Sequence, residues 1–192
     1  MTTLWYTARG AGLAALVALS AATALGALVS MPSPNPARRI VVQYAHRAAA
    51  VLGLALLAVH ITAILADAKA HVGILGALIP FQSSYRPGSV AFGSVAAYVF
   101  LAVSALGLGR GRLARSPQAI RVWRGLHALA YLGWAAAILH GFRSGTDVGT
   151  GWVDALFLIC LVGVLAAITA RLVSLARRDY VRRAMIPIEA TR

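Results

Sequence analysis

The residues of this chain best suited to chemistry are five histidines, four of which fall inside long apolar segments. These four form two pairs: His46 and His60 are 14 positions apart, and His127 and His140 are 13 positions apart. Ionisable side chains are costly at membrane depth and usually face a bundle interior or a functional site. At about 1.5 Å per helical residue, the members of each pair are separated by roughly 20 Å. The spacing therefore predicts histidines at two depths on two helices.

Two imidazoles that face each other can occupy both axial positions of a haem iron. If the two helices are parallel neighbours, His46 pairs with His127 and His60 pairs with His140. The pattern then predicts two b-type haems, one in each leaflet, forming an electron path across a membrane. Cys160 is the single cysteine, so covalent haem attachment through a C-x-x-C-H motif is excluded.

The helical phase of the two pairs differs. At about 100° per residue, 14 steps bring His60 within roughly 40° of the direction of His46. Thirteen steps place His140 about 140° from His127 on an ideal helix. We therefore expect tilt, supercoiling or a local distortion in the second of these helices, where Gly133 lies near the middle.

Other residues are candidates for contacts with the haems. Gly53 and Gly133 lie midway between the histidines of their helices, where a missing side chain would give clearance to a planar group or serve ordinary helix packing. Haem carboxylates need cationic partners, and Arg47, Arg124 and Arg143 lie close in sequence to the histidines. The same arginines also suit an anchoring role at the membrane interface. The loop residue His71 is expected to be solvated, or to contact a metal or an acceptor outside.

The composition indicates what surrounds these helices. Hydrophobic residues make up 60% of the 192 residues and charged residues 12%, with a mean hydropathy of +0.78; a soluble domain carries about 25% charged residues. The apolar residues form runs of roughly 20, the length that crosses a bilayer as a helix. The chain is therefore expected to be a multi-pass protein of the cytoplasmic membrane, in contact with lipid.

Five apolar segments predict an all-α, five-helix transmembrane bundle that forms one domain. The first run contains Ala22-Thr23-Ala24, which resembles a signal-peptide cleavage site, but it stays apolar to Met31 and is kept as a span. The stretch from His71 to Phe81 is too short to cross, so it is expected to be interfacial or partly re-entrant. The predicted spans are 10–31, 40–66, 89–109, 120–141 and 152–175, and a short basic tail covers 176–192.

The positions of the basic residues predict the orientation. Of the 18 Lys and Arg residues, 14 lie by the first and third connections or at the C-terminal end, and four lie on the opposite side. The excess marks the cytoplasmic face, so the N-terminus is outside and the C-terminus inside. The net charge of +13 then needs no nucleic-acid partner, because it faces anionic lipid. The second and fourth spans become parallel, with His46 and His127 at the cytoplasmic end.

The two histidine pairs on alternate helices, with an arginine-rich connection between them, resemble the ferric reductase-like transmembrane domain family. That family includes the membrane cores of ferric reductases and NADPH oxidases and the haem subunit of a periplasmic methionine sulfoxide reductase system. The resemblance covers residues 40–175. It implies a di-haem b-type cytochrome that passes electrons from a cytoplasmic flavoprotein (FMN or FAD) or a quinol to an exported or extracellular acceptor.

The chain also departs from that family. It has five predicted spans where the larger members have six, and 17 residues after Leu175 are too few for a flavin or NADPH domain. One turn beyond the outer histidine the oxidases carry another histidine, and this chain has Ile64. We therefore expect the electron-transfer membrane subunit of an oxidoreductase, with NAD(P)H oxidation left to a partner.

Two other functions are compatible with histidines at membrane depth. A metal-ion or proton transporter would use them as ligands or relays, although such pathways usually recruit intramembrane carboxylates, and none lies well inside the predicted spans. A structural subunit would bury them as packing residues. The matched spacing of the two pairs favours haem over both.

Overall fold

The five-helix prediction is confirmed. The computed structural model describes residues 2–32 and 35–184, and within these residues it is helical without strands. Five helical segments are long and apolar enough to cross a membrane. The helices, numbered in chain order, are α1 (Thr3–Val29), α2 (Pro36–Ala66), α3 (Gly73–Leu78), α4 (Pro87–Leu108), α5 (Arg110–Leu113), α6 (Pro117–His127), α7 (Ala130–Ser144) and α8 (Gly151–Ala184).

The helix starts follow local sequence signals. Pro36, Pro87 and Pro117 each occupy the first turn of a helix, where a missing N–H is tolerated. The side chain of Asn35 accepts a hydrogen bond from the backbone of α2, and that of Ser116 does the same for α6. The second, third and fourth spans therefore begin two to four residues earlier than hydropathy predicted.

Two further differences concern the ends of the predicted elements. α8 continues past Leu175 to Ala184, so part of the predicted tail is helical, and residues 185–192 lie outside the described residues. The segment between α2 and α4 forms a 3₁₀ turn (Ala68–Ala70) and the short helix α3, whose Ile74 and Leu75 are about two-thirds exposed. An exposed apolar helix of this length suits the membrane interface predicted for it.

α1 is the central helix of the bundle. It packs along α2, against α8 and against part of α7, while α4 packs along α7. The contacts are close because α1 buries mainly alanines, such as Ala15 and Ala18. A core cluster joins Leu19, Phe100, Trp134 and Val164 from four helices, and the Trp134 indole donates to Ser20 Oγ at 2.9 Å.

α2 and α7 do not pack closely against each other. α2 packs on α1, α7 packs on α4, and of the residues of α2 only Gly53 and Ala63 are buried. The fold therefore leaves a gap between two helices, and both of these helices carry histidines.

Candidate functional site

The structure brings the four histidines together as the two predicted pairs. The ring centres of His46 and His127 are 6.3 Å apart, and those of His60 and His140 are 6.2 Å apart. The ring planes are inclined by 73° in the first pair and 74° in the second. Because the chain order agrees at both levels, α2 runs parallel to the segment formed by α6 and α7, as predicted.

Each histidine is held by a backbone carbonyl of the helix behind it. His46 and His60 donate through Nδ1 to Ala22 and Ala8 of α1, at 2.8 and 2.7 Å. His127 donates to Val103 at 3.1 Å and His140 to Ser89 at 2.8 Å, both on α4. A carbonyl oxygen only accepts, so Nδ1 carries the proton in all four rings and Nε2 keeps its lone pair. All four rings thus have the tautomer of a metal ligand.

A glycine stands four residues after each of these carbonyls and makes room for the ring. A Cβ at Gly12 would lie 2.8 Å from Nδ1 of His60, and one at Gly93 would lie 2.7 Å from Nδ1 of His140. At Gly26 the nearest ring atom, Cε1 of His46, is 3.2 Å away. At Gly107 it is Cε1 of His127, at 3.5 Å. Any side chain at Gly12 or Gly93 would displace the histidine.

Sequence reasoning missed these four glycines, although a signal was present. Gly12 and Gly26 are 14 residues apart, as are Gly93 and Gly107, and His46 and His60 have the same spacing. The structure explains the shared spacing, because one arrangement of glycine, carbonyl and histidine occurs in both halves of the bundle. One half is formed by α1 and α2, and the other by α4 with α6 and α7. No repeat was evident in the sequence, because only these few positions are shared.

His127 has an additional neighbour. The indole of Trp123 stacks on its ring at 4.9 Å between centres with planes 12° apart, and Trp123 itself donates to the carbonyl of Leu106 at 2.8 Å. The Arg110 guanidinium lies over the Trp123 ring at 5.3 Å. The stacked indole supports the histidine whose hydrogen bond is the longest of the four.

A break in the fourth span changes the rise and rotation between His127 and His140, which are 13 residues apart. α6 ends at His127 and α7 begins at Ala130. Around the break, the N–H groups of Leu129, Tyr131 and Leu132 donate to carbonyls three residues earlier, at 2.9–3.1 Å. This is 3₁₀ geometry, which advances about 120° and 2.0 Å per residue. The local distortion expected from the phase is therefore present, and it lies next to His127 rather than at Gly133.

The gap beside the His60–His140 pair is a cavity of about 320 Å³. Both rings line it together with mainly apolar side chains, among them Leu16, Phe100 and Phe157. Its volume is at the lower end of the range for small-molecule sites, about 300–1,000 Å³. A planar apolar group with two open axial positions suits such a lining.

The other residues predicted from the sequence lie in helix contacts or on the exposed surface. Gly53 packs against Leu19 and Gly133 against Val99, so close helix contacts account for both, which is one of the two roles expected. Arg47, Arg124 and Arg143 have exposed side chains. The arginine that lines the cavity is Arg9 of α1, which sequence reasoning did not select. His71 is exposed in the loop after α2, outside the residues that line the cavity.

The ring spacing agrees with two imidazoles bound to one iron. A metal–imidazole bond is about 2.0 Å long and a ring nitrogen lies about 1.1 Å from its ring centre, so opposed ligands have centres about 6.2 Å apart. Within residues 2–32 and 35–184, no group of three or more His, Cys, Asp or Glu side chains could hold a metal ion. Two histidine ligands in each pair suit a metal whose remaining ligands come from a macrocycle. Comparisons with protein-family models, curated proteins and solved structures give no match for this chain.

Proposed function

We propose that the chain is a di-haem b-type cytochrome that moves electrons across the cytoplasmic membrane. His46 and His127 would bind one haem iron, and His60 and His140 the other. The observation that carries the proposal is a geometry that occurs twice. In each of two imidazole pairs the ring centres lie 6.3 or 6.2 Å apart across a gap between helices, and the Nδ1–H of every ring donates a hydrogen bond to a backbone carbonyl.

Each haem would supply a one-electron Fe(III)/Fe(II) couple. The protein's part is to hold the rings at the required spacing and to fix their tautomer through Nδ1. The hydrogen bond from Nδ1–H to the carbonyl also makes Nε2 a stronger base. A stronger base favours the oxidised iron and so lowers the reduction potential of the haem. The lining around His60 and His140 is mainly apolar.

The proposed orientation has the His46–His127 pair towards the cytoplasm and the His60–His140 pair towards the outside. The basic residues around α5 and α6 support it, because they lie at the end of the bundle that carries His46 and His127. Electrons would then enter from a cytoplasmic flavoprotein or a quinol and leave to an acceptor outside. The chain would be the electron-transfer subunit of an oxidoreductase.

Absorbance spectroscopy of the purified protein tests the cofactor. We expect a b-type α-band after reduction with dithionite and, by pyridine haemochrome assay, two haems per chain. A metal-ion or proton transporter, or a structural subunit, would show no such band even when expressed with ample haem, and that result would contradict the proposal.

Single substitutions test the pairing. His46→Ala and His127→Ala should each remove one haem, and it should be the same haem, identified by its midpoint potential. His60→Ala and His140→Ala should each remove the other. His71→Ala is the matched control and should keep both. If His46→Ala and His140→Ala removed the same haem, the proposed pairs would be wrong.

A further inference from the structure

Two residues that line the cavity beside the His60–His140 pair each have a buried polar atom without a partner. Among the described residues, neither Nε1 of Trp5 nor Oγ of Ser144 has a hydrogen-bond partner, although both atoms are shielded from solvent. Trp5 and Ser144 both line the cavity. A buried polar atom left unpaired costs about 1–3 kcal/mol, so such atoms in a ligand cavity mark a ligand contact.

Both residues lie on the same side of the histidine pair. Trp5 is three residues before Ala8, the carbonyl that holds His60, and Ser144 is four residues after His140. Each is thus about one helical turn from the histidine level, towards the end of the bundle where α2 ends. The unpaired atoms therefore define a polar end of an otherwise apolar cavity.

The chemistry of this end selects an acceptor. An indole N–H only donates, and a serine hydroxyl can donate. The Arg9 guanidinium lines the same end, where its positive charge is balanced by an ion pair with Asp147. The two unpaired donors of Trp5 and Ser144 therefore favour a carboxylate, because a carboxylate accepts charge-assisted hydrogen bonds.

We infer that Trp5 and Ser144 bind a carboxylate of the haem in this cavity and so fix its orientation, with the carboxylate edge towards the end of the bundle formed by the start of α1 and the end of α7. The inference rests on the proposed function. The sequence indicates Arg143 as the partner of a haem carboxylate at this level, but the side chain of Arg143 is exposed. The orientation of the haem is therefore assigned to Trp5 and Ser144.

The test compares haem with haem dimethyl ester, which has the same macrocycle without free carboxylates. Both are titrated into apoprotein carrying His46→Ala, so that only the His60–His140 site is measured. Because each of the two hydrogen bonds to a charged group is worth at least about tenfold in affinity, we expect haem to bind at least about 100-fold more tightly than the ester. Trp5→Phe and Ser144→Ala should each reduce this preference by about tenfold and leave the affinity for the ester unchanged.

Two matched controls use the same substitutions elsewhere. Ser94 lines the same cavity, but its hydroxyl already donates to Ala77 at 2.7 Å, and the side chain of Trp152 is 63% exposed. Ser94→Ala and Trp152→Phe should keep the full preference for haem. Circular dichroism of each variant verifies that it folds.

Resonance Raman spectra of the protein with an intact His46–His127 pair give a second readout. The carboxylate bending band of the outer haem should shift in Trp5→Phe and not in Trp152→Phe. An unchanged preference for haem in both Trp5→Phe and Ser144→Ala would overturn the inference while leaving the di-haem proposal intact. Absence of haem binding to the parent protein would instead overturn the proposed function.

Discussion

At the residue scale, His60 and His140 depend on a glycine of the neighbouring helix as much as on their own positions. Each of these rings can reach its carbonyl because the residue four positions later, Gly12 or Gly93, has no Cβ. A hydrogen bond from a ligand's second nitrogen fixes both the tautomer and the ring direction. The glycine, the carbonyl and the histidine therefore act as one unit at these two sites, and the same arrangement occurs at the other two histidines.

Gly93→Ala should abolish binding of the haem proposed for the His60–His140 pair. The new Cβ would lie 2.7–3.0 Å from three atoms of the His140 ring, so the ring must move and lose its bond to Ser89. Overpacking of this kind costs about 1–3 kcal/mol of unfolding free energy. Haem content should fall from two to one per chain, measured by the pyridine haemochrome assay.

Gly88→Ala is the control for this substitution, because no atom lies within 4 Å of a Cβ at that position. It should keep both haems and unfold at the same temperature as the parent protein. Retention of two haems with an unchanged spectrum in Gly93→Ala would show that the clearance is not needed.

The sequence was sufficient to pair the histidines but not to find the glycines. Spacing and polarity identify His46, His60, His127 and His140 without knowledge of packing, because little else at membrane depth is ionisable. A glycine of α1 can be assigned to a histidine of α2 only when the facing surfaces are known. Cavity residues such as Trp5 and Arg9 were missed for the same reason, since both lie at the start of α1, far in sequence from any histidine.

At the element scale, the break between α6 and α7 gives a 13-residue spacing the same rise as one of 14 and brings its rotation closer to that of 14. Ten α-helical steps and three 3₁₀ steps rise about 21 Å, the same as 14 α-helical steps. Each 3₁₀ step also adds about 20° of rotation, which reduces the mismatch of His140 from about 140° to about 80°. The 13-residue spacing of His127 and His140 correctly indicated a distortion of this span, but helical periodicity could not locate it.

One alanine inserted between Leu129 and Ala130 should therefore be tolerated at the site. It gives His127 and His140 the 14-residue spacing of His46 and His60, so a regular helix can replace the 3₁₀ turns. Both haems should be retained, by absorbance and redox titration. Two inserted alanines rotate His140 by about a further 100° and should abolish the haem of the His60–His140 pair. Loss of that haem after the single insertion would contradict this account of the break.

A side-chain contact ties the start of α1 to the end of α2. The Thr2 hydroxyl donates to the Asp67 carboxylate, and the backbone N–H of Lys69 donates to the same side chain at 3.0 Å. These hydrogen bonds, that from Thr2 first, hold the pKa of Asp67 below its usual value. A carboxyl with a lowered folded-state pKa stabilises the fold at pH above its unfolded pKa of about 3.9, and the contribution is lost as pH falls through the folded value.

Asp67→Asn should accordingly lower the melting temperature at pH 7 and have a smaller effect at strongly acid pH, where the parent protein has also lost the charge. Thermal unfolding followed by circular dichroism between pH 2 and 7 measures the difference. Asp154→Asn at the start of α8 is a control for the loss of one carboxylate elsewhere. If the change in melting temperature caused by Asp67→Asn were the same at every pH, the charge of Asp67 would not contribute to stability.

At the scale of the whole molecule, four of the five spans form two similar helix pairs that face each other across a gap, and α8 packs against α1. α1 and α4 form the backs of the two pairs, and α2 with the α6–α7 segment forms the facing walls. Hydropathy predicts five spans because lipid contact requires apolar residues all along them. It does not distinguish a side chain that faces lipid from one that faces an apolar cavity, so the gap itself could not be predicted.

The two histidine levels, roughly 20 Å apart along α2, predict electron transfer that requires both pairs. Proteoliposomes with ferricyanide trapped inside and dithionite added outside test this, because neither ion crosses the bilayer. Parent protein with two haems should reduce the trapped ferricyanide, and so should His71→Ala. His46→Ala and His140→Ala should each slow the reaction to the rate of protein-free vesicles, since removal of either level leaves a gap too long for transfer. Unchanged reduction by His46→Ala protein would mean that the His60–His140 level alone carries the electrons, and the path through both leaflets would have to be abandoned.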